Sequence, residues 1–423
     1  VSERTENVVC TFCGCLCDDI VVEHEEGRIL KVLRACSNGQ GHFRDYEPAP
    51  RPPRVGGREV SWGEALAEAG RILRDSDSPL IYGLSSATSE AQRKAVELAD
   101  RLGAFLDSTS SVCHGPTGLA MQGVGEPTCT LGEVRNRADL LLFWGCNPAA
   151  SHPRHFARYS AAAKGRFTPE GRKGRTVIVV DVRPTPATRS ADLFLQVLQG
   201  GDYDVLTALR AIVKGKPVRG DRVGGVPTEV LRELAERLKG CRYGVAFMGM
   251  GLTMTRGRDL NVAELFSLVA DLNDFTRFSV IPMRGHGNVT GADQVTTWQC
   301  GFPFAVSFAR GFPQYGPGEF TAVDVLARGD ADSALILASD PVAHFPRRAA
   351  DRLASMPTIA MDPEESLTAR VARVWLPTGR AGIDTPGSAY RMDGVSLRLR
   401  PFLPRARPSD QEILERLIEE VRR

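Results

Sequence analysis

Two near-continuous apolar runs of strand length, Ala138 to Trp144 and Thr176 to Asp181, constrain the fold more than any other feature. A strand with no polar face must be covered by helices on both sides, which is the situation of a parallel sheet. Shorter runs repeat the theme at Leu80–Leu84, Val245–Met248, Phe278–Pro282, Ala334–Ala338 and Thr358–Met361. Between them lie stretches of helical periodicity: Thr88–Leu102, Tyr203–Val213, Leu260–Leu272 and a terminal Asp410–Val421. Ser61 with Glu64 three residues on predicts a capping box before another helix lined by Ala65, Leu66, Ala69, Ile72 and Leu73. Strands alternating with helices predict a multi-domain α/β protein with parallel sheets flanked by helices, and 423 residues are enough for two or three domains.

Composition narrows the function by exclusion. A net charge of +2 and the lack of any basic run with interleaved aromatics give no support for nucleic-acid binding. No apolar stretch is long enough for a membrane span. The polar N-terminus shows no export signal, so ten cysteines in one chain read as reduced and cytoplasmic.

Four of those cysteines are spaced as ligands. Cys10-x2-Cys13-x3-Cys17, relaxed by Gly14, brings three thiolates within reach of one centre, and Cys36 is the natural fourth. Ile20–Glu23 and Ile29–Val32 predict a hairpin that holds this loop and returns Cys36 beside it. Four thiolates suit an iron–sulfur cubane or a structural zinc. Cys15 is one too many for either and is expected to point away. Tyr46 to Gly57, rich in Pro, Gly and Arg, reads as an extended linker.

Turn residues cluster where ligands bind in α/β sheets, at the carboxyl ends of strands. They are Gly145-Cys146-Asn147-Pro148, Asp181-Val182-Arg183-Pro184-Thr185, Gly249-Met250-Gly251 and Ser339-Asp340-Pro341. Any one of them is explained by turn geometry alone, but four together favour a large phosphate-bearing ligand laid across several strand ends. Two further segments are dense in reactive groups. Cys113-His114 pairs a soft metal ligand with a proton acceptor, although a lone cysteine is as often an inert core residue. In Met283 to Gly291 the glycines would let a ligand approach the backbone, and Arg284 could clamp a carboxylate through two nitrogens. A Gly-rich turn with a surface arginine is the plainer alternative.

Together, Cys10 to Asp19, Cys113-His114-Gly115-Pro116, Val124 to Pro148 and Arg284 to Gly291 resemble the B subunit of formylmethanofuran dehydrogenase, of the molybdopterin oxidoreductase superfamily. The resemblance extends to Ser151-His152-Pro153-Arg154-His155 and Gly301-Phe302-Pro303-Phe304, nearly end to end. It implies one 4Fe–4S cluster on Cys10, Cys13, Cys17 and Cys36, with molybdenum or tungsten on Cys113 and on two molybdopterin guanine dinucleotides. His114 would take the proton equivalent of formate and Arg284 would orient its carboxylate. Gly145, Asn147, Pro148, Asp181, Arg183, Thr185, Gly249, Gly251 and Asp340 would line the nucleotide arms. The implied domains are a cluster domain over 1–55, a discontinuous pterin-binding domain over 56–112 and 277–423, and a Rossmann-like domain over 113–276.

The implied reaction is reversible two-electron reduction of CO2 to formate, the first step of methanogenesis, with formate passed on for condensation with methanofuran. Implied partners are an amidohydrolase A-type subunit, a C-type subunit, ferredoxin-like electron-transfer subunits, and a small D-type subunit. The last would supply the β-barrel cover over the pterins, which larger formate dehydrogenases carry at their C-terminus. The superfamily's lysine after the fourth cysteine has no counterpart in this chain, leaving Arg44 as the candidate. Two other roles compete: a non-catalytic scaffold, as in a formyltransferase/hydrolase complex, and a stand-alone formate dehydrogenase. Against the scaffold stands the joint presence of the four cluster cysteines with Cys113, His114 and Arg284.

Overall fold

The computed structural model describes residues 2–422. They form two compact units: the described residues up to Ser111 together with those from His286 onward, and Val112–Gly285.

The first unit contains a nine-stranded sheet. Its centre is five parallel strands in the spatial order Phe105–Ser108, Pro79–Gly83, Ser333–Leu337, Thr358–Asp362, Val374–Pro377. Alternation along these strands sends Ile81, Leu335, Leu337, Ile359 and Met361 into a core with the helices Trp62–Arg74, Ser89–Leu102, Val289–Cys300 and Asp410–Arg422. Leu80, Tyr82, Ala334 and Ile336 enter a second core with Ala322–Arg328 and Arg347–Ser355. Both faces are buried, as the unbroken apolar runs require. Numbered along the chain, the parallel strands run 2-1-3-4-5, so the strand order reverses between Pro79–Gly83 and Ser333–Leu337.

A separate antiparallel sheet, Glu3–Val8, Ile20–Glu25 and Arg28–Leu33, carries the cysteine loop between its first two strands. The hairpin is longer and its turn tighter than expected from the sequence. The first strand was not legible, because Glu3-Arg4-Thr5-Glu6-Asn7-Val8 is almost wholly polar and only its pairing defines it.

The second unit contains an all-parallel sheet of Leu140–Trp144, Thr176–Asp181, Leu193–Gln196, Tyr243–Met248 and Arg277–Pro282 in the order 3-2-1-4-5, besides a short antiparallel ribbon of Arg222–Val223 and Val226–Pro227. Arg277–Pro282, expected in the discontinuous domain, instead pairs with Tyr243–Met248 in this sheet. Leu142, Trp144, Ile178, Val180, Ala246 and Met248 pack against Asp202–Val213, Thr228–Gly240 and Arg258–Leu272. Toward the opposite face Phe143 stacks on Phe247 at 5.0 Å, with the buried His155 ring edge-on to Phe247 at 4.8 Å.

Three local expectations need correction. Residues 46–57 are not all linker, because Arg54–Val55 pairs antiparallel with Val374–Pro377 at the sheet edge. Ser61 accepts from the Glu64 N–H at 3.2 Å, but the return bond is absent among the described residues, and the full capping box is instead Thr130 with Glu133. Cys15 does not turn away: its buried thiol shares a hydrogen bond with Cys13. Among the described residues no helix is long and apolar enough to cross a membrane.

One side chain ties the second unit together. Arg175, 4% exposed, donates to the carbonyls of Val134 (3.2 Å), Arg135 (2.7 Å) and Ala163 (2.8 Å) and to Thr168 Oγ1 (2.8 Å). Val134 and Arg135 lie in the last turn of the helix Leu131–Arg137, whose carbonyls attract positive charge; the Ala138 N–H also donates to the Val134 carbonyl at 3.2 Å and Thr168 Oγ1 to that of Arg135 at 3.0 Å. Burial lowers the guanidinium pKa to about 10, so it stays charged at neutral pH. Lysine offers three donors on a point charge and cannot span this set. Arg175→Lys is therefore expected to cost about 2 kcal/mol, because the four charge-assisted bonds cannot all be kept and the Ala163 carbonyl has no second donor to fall back on among the described residues. Thermal unfolding should show this as a drop of roughly 4–8 °C; an unchanged midpoint would refute the account.

Candidate active site

In the second unit the strand order reverses between Leu140–Trp144 and Tyr243–Met248, and the loops leaving those two strands meet backbone to backbone. The Gly251 N–H donates to the Gly145 carbonyl at 2.9 Å, and the Gly249 N–H donates to that of Trp144 at 3.2 Å. A Cβ on Gly251 would lie 2.7 Å from Gly145 Cα, and one on Gly249 2.6 Å from Cys146 Cβ. Glycine at these positions is thus demanded by loop-to-loop contact, at the place where open α/β sheets bind dinucleotides. Asn147 accepts from the Ala187 N–H at 3.3 Å and starts the short helix Pro148–Ser151.

On the neighbouring strand end, Asp181 accepts from the Val182 N–H at 2.8 Å, and burial raises its pKa. Arg183 is exposed. Thr185 Oγ1 is buried without a hydrogen-bond partner among the described residues, an orphan that a ligand's polar group would satisfy.

Cys113 is partly exposed and its carbonyl accepts from Thr253 Oγ1 at 2.9 Å, which anchors it to the segment following the Gly249–Gly251 turn. His114 follows, 1% exposed, at the start of the helix Gly115–Val124, a helix that its Gly-Pro opening hid from periodicity analysis. Its Nδ1 lies 3.1 Å from Thr117 Oγ1. Nε2 has no well-formed hydrogen bond, although the Met283 backbone lies near enough to favour its protonated form. Burial, then the charge of Arg284, lowers the His114 pKa to about 3, so the ring is neutral and able to accept a proton at pH 7.

Arg284, buried at 6% exposure, stands two residues beyond the strand Arg277–Pro282. The second unit thus holds Cys113, His114 and Arg284, brought from 171 positions apart in sequence. Two neighbours of Arg284 were passed over in the sequence. Glu126 is pushed up to about 7 by burial, against the lowering effects of Arg284 and Thr128. His152 bonds the Arg284 main chain directly, with Nε2 2.8 Å from the carbonyl. Both lie in segments that carry the resemblance, Val124 to Pro148 and Ser151 to His155, but the sequence assigns neither a role, because each becomes interesting only through what the fold sets beside it.

In the first unit, Cys10, Cys13, Cys17 and Cys36 are close enough to perturb one another electrostatically, and burial is the main factor raising the Cys10 thiol. Cys36 caps the helix Ser37–Arg44, its sulfur accepting from the Gly39 N–H at 3.5 Å. A Cβ on Gly39 would lie 3.3 Å from Cys10 Sγ and 3.8 Å from Cys36 Sγ, so this glycine keeps the space between the two sulfurs open. Among the described residues no three His, Cys, Asp or Glu side chains converge as a single ion would require. A polynuclear cluster, whose ligands bind different metal atoms, has no such requirement.

The Gly-rich segment departs from its sequence reading. Gly287 leaves room for Thr11 of the cysteine loop, whose carbonyl would lie 2.0 Å from an added Cβ, and Gly291 leaves room for Asn288 Oδ1 at 2.1 Å. These two glycines therefore admit protein atoms rather than a ligand. Asp340 likewise spends its carboxylate on protein, accepting from the N–H groups of Leu367 (3.1 Å) and Thr368 (2.8 Å) and from Thr368 Oγ1 (2.7 Å).

No protein-family model matches the chain. It is 46% identical over 426 residues to the B subunit of the tungsten-containing formylmethanofuran dehydrogenase 2 of Methanocaldococcus jannaschii, a match covering 98% of each chain. Among solved structures it superposes on a chain of the formyltransferase/hydrolase complex of Methylorubrum extorquens, crystallised with methylofuran. The TM-score is 0.73 at 27% identity, covering 87% of this chain and 98% of that one. Acetylene hydratase from Pelobacter acetylenicus shares the fold at a TM-score of 0.70 and 14% identity, covering 99% of this chain and 69% of that one.

Proposed function

The chain belongs to the family of formylmethanofuran dehydrogenase B subunits, and from that premise we propose that it is the catalytic subunit that interconverts CO2 and formate. One observation carries the proposal: the main chain of Cys113 is tied through Thr253 to the glycine turn at the strand-order reversal, in the same unit as buried His114 and Arg284. This supports a reading in which a metal ligand would stand beside a dinucleotide cradle, with a proton acceptor and a fixed positive charge in the same unit.

The residues present fit the implied cofactors. Cys113 would ligate molybdenum or tungsten, and the backbone of Gly145, Gly249 and Gly251, with Asn147, Pro148, Asp181, Arg183 and Thr185, would hold one guanine dinucleotide arm. The strand-order reversal of the first unit, beside Gly83 and Leu337, would serve the second. Asp340 would line that arm while also holding residues 367–368. Cys10, Cys13, Cys17 and Cys36 would hold a 4Fe–4S cluster and pass electrons singly. When bound, the pterin-held metal supplies the two-electron redox step.

The chain's own groups do the rest. In CO2 + H+ + 2e− → HCOO−, Arg284 holds the carboxylate oxygens as charge develops on them, and its own burial keeps competing water away. His114, neutral at pH 7, accepts the proton released when the reaction runs toward CO2 and returns it in reduction. Within this reading the chain is one subunit of an assembly, with a D-type subunit covering the pterins and A-type, C-type and ferredoxin-like subunits handling methanofuran and electrons.

Elemental analysis and electron paramagnetic resonance of the anaerobically purified complex test the proposal. The expected result is molybdenum or tungsten together with iron in excess of the four atoms per heavy metal that one cubane supplies, the surplus coming from the ferredoxin-like subunits. An active preparation lacking both heavy metals would overturn it and favour the scaffold role.

A further inference from the structure

We infer that His152 is a positioning residue for Arg284, fixing the main chain from which the guanidinium reaches its carboxylate. The inference rests on the proposed role of Arg284 as the formate-binding group. The Arg284 backbone is pinned at several points. Its N–H donates to the Pro282 carbonyl at 3.0 Å, the preceding Met283 N–H donates to the Met248 carbonyl at 2.7 Å, and its own carbonyl lies 2.8 Å from His152 Nε2. At the next residue, Gly285, no atom of the described residues other than its chain neighbours lies within 4 Å of where a Cβ would stand, so sterics alone do not stop this peptide from turning. The His152 bond opposes that rotation.

The hydrogen-bond chain specifies the tautomer. A carbonyl only accepts, so Nε2 carries the proton. The ring is 1% exposed and burial lowers its pKa, so it is neutral and Nδ1 is an acceptor. Ser151 Oγ, 2.8 Å from Nδ1, supplies the donor. That hydroxyl also lies 3.1 Å from the Asn147 carbonyl, but its single hydrogen serves one acceptor at a time, and a neutral His152 bonded to Arg284 requires it at Nδ1. His152 in turn follows directly on the helix Pro148–Ser151, its N–H donating to the Pro148 carbonyl at 2.9 Å. The tether therefore stands on the segment that leaves the Gly145–Asn147 turn, so the dinucleotide cradle and the carboxylate clamp are held in register by one buried imidazole.

His152→Leu and His152→Gln in the purified complex test this. Glutamine keeps a donor near Nε2 and leucine keeps only bulk. With formate oxidation followed through a viologen dye, His152→Leu should raise KM for formate about tenfold, one broken hydrogen bond of roughly 1.4 kcal/mol, with kcat changed less than threefold. His152→Gln should return KM to within threefold of wild type. The Kd for nitrate, a planar anion used as a non-reacting probe, should shift in parallel by calorimetry, with metal content and cluster signal unchanged.

An unchanged KM and nitrate Kd in a fully metallated His152→Leu complex would overturn the tether while leaving the catalytic reading intact. Loss of metal with no rescue by glutamine would also overturn it, reducing His152 to a packing residue. A metallated wild-type complex that fails to oxidise formate would instead remove the catalytic reading, and the tether with it.

Discussion

Cys113→Ala is expected to abolish dye-linked formate oxidation while leaving the iron–sulfur signal intact. The thiolate is the one proposed direct bond between this polypeptide and the metal, so its loss should exceed the roughly 10–100-fold cost of removing an outer partner of a metal ligand. Activity should fall at least about 1,000-fold, equivalent to roughly 4 kcal/mol of transition-state stabilisation. The cluster cysteines belong to the other compact unit, so their signal is an internal control. Stability should also be little affected, because Cys113 is only partly buried. Retained dye-linked turnover at wild-type metal content would show that the metal ligand has been misassigned.

Gly83→Ala should destabilise the first unit far more than a methyl group added at an ordinary glycine. Gly83 ends a central parallel strand at φ +115°, a conformation that L-residues rarely adopt, and its added Cβ would stand 2.1 Å from the Leu337 carbonyl. That carbonyl accepts the Leu84 N–H at 3.0 Å, and Leu84 itself is held at φ +70°. The methyl group therefore cannot be relieved without disturbing the strand-end contact on which the reversal of strand order depends. Strain and displacement together are expected to cost about 3 kcal/mol or more, a fall in Tm of roughly 6–12 °C for a unit of this size. Gly103→Ala is the matched control. Gly103 also has positive φ, +65°, but caps a helix end, and the nearest atom to its added Cβ is 3.6 Å away. That change should cost only about 1 kcal/mol. Equal losses at the two sites would mean that backbone conformation alone, and not the approach of Leu337, governs Gly83.

The legible and illegible parts of the chain differ in the range of the forces that define them. Thr176–Asp181 and Leu140–Trp144 announce themselves because a strand buried on both faces needs apolar residues at every position, a requirement written within six residues. Ser61 announces a helix because a cap bonds an N–H three residues away, and Thr88–Leu102 does so by the apolar periodicity of its own face. Glu3–Val8 and Arg54–Val55 do not: the first is defined by pairing with a strand more than ten residues away, and the second, only two residues long, sits between Val374–Pro377 and the equally short Arg58–Glu59 with no apolar alternation to mark it. The helix Ser37–Arg44 was hidden by its two glycines and by a capping residue, Cys36, that looks only like a ligand.

The candidate site divides in the same way. Cys10, Cys13 and Cys17, and the adjacent Cys113 and His114, stand close enough along the chain for their chemistry to be read from spacing. Sequence by itself thus determined the α/β class, the thiolate loop and the Cys113-His114 pair, since each depends on neighbours within a few residues. Tertiary structure alone decided three further matters: that Arg284 shares a unit with that pair, that His152 holds its carbonyl, and that Gly287 makes room for Thr11 while Asp340 bonds residues 367 and 368. Each of these rests on a hydrogen bond or a steric approach between residues that only the folded chain brings together, and no periodicity or spacing encodes such a meeting.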